Sequence, residues 1–143
     1  MGIYNSNSKA SSDKIELITT ARSLNSMTLT PPPEFGGPED HWTPEDLFSA
    51  SISSCYILTF KAIARAKKME WNTLEVDVEA KLEKTESGLK FTDVKIMPHL
   101  EICCSKSADP YLELLYKAKD HCLVTKSMNC NFEVLPKIKI KAK

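Results

Sequence analysis

From Thr43 to about Met69 the sequence reads as one long helix that is apolar on almost every face, and this feature restricts the fold more than any other. Thr43-Pro44-Glu45-Asp46 opens it. Thr43 caps the helix, Pro44 suits the first helical position because its missing N–H has no partner there anyway, and the two acids complement the positive helix end. Beyond that start, Ile52, Cys55, Ile57, Leu58, Phe60 and Ile63 spread around the helix, so it must be buried on more than one side. Ser49, Ser51, Ser53 and Ser54 are small and let another helix approach closely. A chain of 143 residues fits a single domain, expected over residues 1–143 with 1–12 flexible. In so small a domain, a helix buried on two sides implies a partner subunit.

The flanking segments are shorter and more polar. Lys14 to Thr20 and Ser26 to Thr30 carry β-branched residues about a turn at Ser23-Leu24-Asn25, which predicts a hairpin. Pro31 to Pro38 is too rich in proline and glycine for a helix or a central strand, so it is a loop. Leu74 to Lys84 alternates as a strand with one buried face. A turn at Glu86-Ser87-Gly88 leads to a second strand over Leu89 to Ile102, where Pro98 marks a bulge or an edge. Asp109-Pro110 reads as cap and first helical residue of a second helix, whose inward stripe is Tyr111, Leu115, Ala118 and Cys122. Asn131 to Leu135 follows, and then alternating Ile and Lys through Lys141 as an edge strand guarded by lysines. Helices packed on antiparallel sheet place the chain in the α+β class.

Charge excludes several functions. Lys plus Arg number 19 and Asp plus Glu number 19, so no global field draws the chain to nucleic acid or to a membrane. The longest uncharged run, Leu47 to Phe60, falls short of the ~20 residues of a membrane-spanning helix. Met1 to Ser12 lacks the basic start and apolar core of a secretory signal, so a cytoplasmic location is expected. Met1-Gly2-Ile3-Tyr4-Asn5-Ser6 matches a myristoylation pattern too loose to carry an assignment. In a reducing compartment the five cysteines are not a disulfide framework. With no CxxC, and His121 the one histidine beside a cysteine, local spacing assembles no metal site. Cys55 and Cys122 lie on inward helix faces, either as small core residues or as reactive thiols. Cys103, Cys104 and Cys130 carry no such motive and read as ordinary thiols.

Pro32-Pro33-Glu34-Phe35-Gly36-Gly37-Pro38, followed by Thr43-Pro44-Glu45-Asp46-Leu47-Phe48 and Cys55, resembles the OsmC/Ohr family of osmotically inducible and organic hydroperoxide resistance proteins. In that family a proline- and glycine-rich loop leads into a helix carrying the peroxidatic cysteine. Ala118 to Ser127, with Cys122, is similar to its resolving-cysteine segment. The resemblance implies an OsmC-like fold, with antiparallel sheets packed on a long central helix and a second helix in an intertwined homodimer. It also implies reduction of organic hydroperoxides as an antioxidant stress response, without a bound cofactor. Cys55 is then the attacking thiolate, Cys122 resolves it, and Glu45 helps hold a catalytic arginine. A sulfenic acid on Cys55 condenses with the second thiol, and an external dithiol restores the enzyme. Leu123 departs from the proline the family often has after the resolving cysteine.

Residue-level physics adds a condition. Cys55 lies several turns into its helix, beyond the reach of the N-terminal dipole, so a cation is expected to keep it ionised. Glu45 lies ten residues away along the helix, ~15 Å by the helical rise and too far for contact. Of the two arginines, Arg65 is as far beyond Cys55 as Glu45 is before it, which leaves Arg22 as the candidate activator. Phe35, Phe48, Ile52 and Tyr56 are expected to line an apolar substrate pocket, and His41 and Trp42 to pack the loop before the cap. Two rival readings keep the fold: a noncatalytic dimeric module that binds an apolar ligand, and a redox sensor that signals through a Cys55–Cys122 disulfide.

Overall fold

A computed structural model describes residues 1–142. The chain divides into two compact units, one from Met1 to Phe48 and one from Ser49 onward. The first contains a three-stranded antiparallel sheet, β1 (Asn7–Ala10), β2 (Leu17–Thr20) and β3 (Met27–Leu29), in that order. β2 and β3 are the expected hairpin. β1 is not expected: the assignment of residues 1–12 as flexible is corrected for Asn7–Ala10, which pair with Leu17–Thr20. All four of its residues are exposed, so backbone hydrogen bonds and a 2.8 Å contact between the Ser8 and Thr19 hydroxyls hold it, without an apolar face.

The loop after β3 is closed on itself. Thr30 N–H donates to the Trp42 carbonyl at 3.0 Å, and Pro33–Phe35 forms a 3-10 turn ended by Gly36 at φ 92°. A Cβ on Gly37 would lie 1.6 Å from the Pro31 carbonyl oxygen, so only glycine fits there.

α1 (Pro44–Ala66) starts as its sequence dictates. The Thr43 hydroxyl accepts from Asp46 N–H at 3.0 Å while an Asp46 carboxylate oxygen accepts from Thr43 N–H at 3.0 Å, a reciprocal capping box. Its far end closes with Met69 N–H on the Ala64 carbonyl and Lys68 N–H on that of Arg65, with Lys68 in the left-handed region at φ 56°. This is the geometry of a Schellman cap, built on a lysine where glycine is usual.

The second unit is built on a long antiparallel hairpin, β4 (Thr73–Thr85) and β5 (Gly88–Cys103), with Gly88 at φ 101° after the Glu86-Ser87 turn. Lys81 pairs with Asp93 and Leu82 with Phe91, so Thr92 is the extra residue of a bulge. The chain continues through α2 (Ala108–His121), α3 (Leu123–Lys126), β6 (Asn131–Val134) and β7 (Lys137–Lys141). α2 begins at Ala108 after Ser107, so Asp109 and Pro110 lie within its first turn and not at its cap. β6 and β7 both pair with β5 in parallel, which makes this sheet mixed instead of antiparallel. The helical crossover explains the direction, because it returns the chain to the end at which β5 began. Nor does Pro98 mark an edge or the bulge. It is buried in the central strand, in the interval between Ile96, where β6 pairing ends, and His99, where β7 pairing begins.

Ile52, Tyr56, Phe60 and Ala64 form the buried stripe of α1, one turn apart. The Tyr56 hydroxyl donates to the Leu115 carbonyl of α2, and Phe60 meets Trp71 edge-on at 5.4 Å. Complete burial of a side chain such as Ile52 or Phe60 stabilises the fold by roughly 1.5–3 kcal/mol. The expectation of burial on several sides is corrected for the isolated chain: Leu58 is 64% exposed. α1 is also, by length and composition, apolar enough to cross a membrane, with a mean hydropathy of 1.4, a property the uncharged run alone did not reveal.

Candidate active site

Cys55 and Cys122 are brought together within the second unit. Cys55 precedes the buried Tyr56 on α1 and is half-buried. Cys122 is the joint between α2 and α3, and it is fully buried. Thr125 fixes that joint: its hydroxyl lies 3.1 Å from the Lys119 carbonyl and 3.0 Å from that of Cys122. These bonds add to the backbone ones the same carbonyls already accept, from Cys122 N–H on Lys119 and from Lys126 N–H on Cys122.

The two thiols lie near enough for each to influence the other's acidity, and in opposite directions. Burial pushes the Cys55 thiol up, but hydrogen bonds from the Val124 backbone, the Cys122 thiol, the Thr59 hydroxyl and the Leu123 backbone outweigh it and bring it below its ordinary value. The Thr59 oxygen stands 3.9 Å from the sulfur. Burial pushes the Cys122 thiol up, and donation to Cys55 adds to the rise against the opposing Thr125 hydrogen bonds. The hydrogen bonds to Cys55 act in the same direction as the cation expected from the sequence. Thr59, four residues after Cys55, was open to discovery from helical spacing. The Leu123 and Val124 donors were not, because backbone groups leave no mark on residue type.

Residues 37–135 match the sequence model of the family described as OsmC-like protein. The chain belongs to the OsmC-like family. A Vibrio cholerae OsmC-like protein of unknown function has a structure similar to it, with a TM-score of 0.85 at 17% identity, covering 97% of this chain and 100% of that one. An organic hydroperoxide resistance protein from Elizabethkingia anophelis gives a TM-score of 0.82 at 14% identity, covering 97% and 98%. The uncharacterized protein YmaD of Bacillus subtilis is 22% identical over 128 residues, 87% of this chain and 85% of YmaD. At these identities the structural likeness shows the fold.

The remaining candidates of this OsmC-like chain are placed as follows. Arg22 is exposed in the β2–β3 turn with φ 52°, and Glu45 sits in the first turn of α1 with its Oε1 buried and without a hydrogen-bond partner among the described residues. Phe35 is exposed and Phe48 half-buried, both in the N-terminal unit. Ile52 and Tyr56 were expected to line a pocket, but they are fully buried and face the core, where packing leaves no surface for a substrate. His41 pairs with Asp40 at 2.7 Å, and Trp42 uses its backbone to bridge Leu29.

Proposed function

We propose that this chain is a thiol-dependent peroxidase that reduces organic hydroperoxides to alcohols, acting as a homodimer in a reducing cytoplasm. The observation that carries the reading is the Cys55–Cys122 contact, with Cys55 the more acidic thiol and the more accessible one. A nucleophile needs ionisation and access, and a resolving thiol needs neither until the first step is over.

In the proposed cycle the Cys55 thiolate attacks one peroxide oxygen and the O–O bond breaks. The alkoxide takes a proton and leaves as the alcohol, with Cys55 oxidised to a sulfenic acid. The Cys122 sulfur then attacks that of Cys55, an S–S bond forms, and the sulfenic oxygen departs with the thiol proton as water. An external dithiol reduces the bridge by two exchanges and is itself oxidised to a disulfide. By the family resemblance Arg22 is the cation that orients the peroxide and Glu45 the carboxylate that holds it. The buried, unpartnered oxygen of Glu45 supports a cationic partner, since a buried carboxylate without one is costly. Phe35 and Phe48 remain candidates for the alkyl side of the substrate. The uncovered apolar surface of α1 around Leu58 supports the second subunit.

Cumene hydroperoxide consumption with dithiothreitol as reductant tests this. The wild-type chain should turn over repeatedly, Cys55→Ser should consume none, and Cys122→Ser should complete a single turnover. Sustained consumption by Cys55→Ser would overturn the reading.

A further inference from the structure

A second pair of thiols lies elsewhere in the same unit. Cys103 ends β5 and Cys104 opens the turn that leads to α2. Both are exposed, in contrast to Cys130, which is half-buried with its thiol against the Phe91 carbonyl at 3.4 Å. The turn is closed by Lys106 N–H donating to the Cys103 carbonyl at 3.0 Å. Within it the Cys103 sulfur lies 3.3 Å from the Ser105 hydroxyl, and the adjacent Cys104 is exposed in the same turn. The Lys106 ammonium, 3.7 Å from Glu70, adds positive charge nearby. Hydrogen bonds from Ser105 come first among the influences that bring the Cys103 thiol below its ordinary value.

Adjacent residues have Cα atoms only ~3.8 Å apart, whereas disulfides usually need roughly 4.4–6.8 Å. A direct S–S bond within the pair is therefore strained. An atom inserted between the sulfurs removes that strain, because it widens the span the ring must close. The pair is thus better suited to chelation by a soft, two-coordinating acceptor than to closing a disulfide.

We propose that the Cys103–Cys104 turn is a surface capture site for trivalent thiophilic metalloids, of the organoarsenous acid and arsenite class, held by two sulfur–arsenic bonds. Each thiol forms one As–S bond as one As–O bond breaks, and its proton leaves with the displaced hydroxide as water. Two thiols are consumed, two waters are released, and arsenic stays trivalent, so no oxidant or reductant is required. Because the second attachment is intramolecular, the bridged adduct should be retained at least roughly a hundredfold better than a single-thiol adduct.

The test uses the full-length reduced chain, phenylarsine oxide, and mass spectrometry with fragment mapping after a wash with excess glutathione. One arsenical should survive on the Cys103–Cys104 peptide and be removed by dithiothreitol. Cys103→Ser and Cys104→Ser should each lose that retention, and the double variant should keep normal peroxide consumption. Retention on that peptide in either single variant, or arsenic found only on the Cys55–Cys122 pair or on Cys130, overturns the proposal.

Discussion

Leu123 shows how one residue alters a thiol without touching it through its side chain. Its backbone N–H is one of the donors to the Cys55 sulfur, and its side chain is 70% exposed. Leu123→Pro removes that donor while disturbing little packing. The Cys55 thiol should become less acidic, and its alkylation by iodoacetamide at neutral pH should slow several-fold, as expected for one lost hydrogen bond to an anion. The midpoint of the alkylation-versus-pH curve reads this directly, and an unmoved midpoint would remove Leu123 from the site. The same shifts set a pH dependence of folding. A thiol whose folded pKa is depressed contributes stability that is present above its unfolded value and fades as pH falls through the folded one, whereas Cys122, raised by burial, contributes stability that is lost at the alkaline end. Cys122→Ala should therefore lose less stability relative to the parent chain at pH values above the ordinary thiol range than at neutral pH, measured by urea denaturation. That the two sulfurs meet was legible only through the family resemblance, because helical spacing gave an inward face for each and no reason for the faces to coincide.

At the scale of elements, the capping box on α1 was written in Thr43 and Asp46, and Thr43→Ala should cost about 1 kcal/mol in chemical denaturation. Lys68 is the opposite case. Its left-handed backbone carries a steric penalty that glycine avoids, so Lys68→Gly should stabilise the fold by roughly 0.5–1 kcal/mol in the same assay. The long helix and the β4–β5 hairpin were legible because caps, an apolar run and strict alternation agree with one another. β1 was not, since Asn7-Ser8-Lys9-Ala10 has no apolar period and is held by its ladder. β6 and β7 were half legible: alternation identifies a strand and its buried face, but not which neighbour it pairs with or in which direction.

For the whole molecule, α1 buries a single stripe against its own chain although apolar residues run around it. Leu58, 64% exposed on α1, is the position where a charge should act on assembly and not on the core. Leu58→Glu should shift the mass measured by light scattering from dimer to monomer while the thermal unfolding of the monomer unit stays cooperative. A wild-type chain that is already monomeric would remove the partner subunit from the proposal. The antiparallel architecture expected from order of elements became a mixed sheet for a reason that operates only at this scale, namely the crossover through α2.

In the proposed cycle, the burial of Cys122 at the joint between two helices also selects the route of recycling. Once the two sulfurs are bridged, an incoming dithiol finds one of them walled in and the other open on its flank. The transient mixed disulfide is thus carried by α1, and the sulfur at the joint is set free without ever being approached from outside.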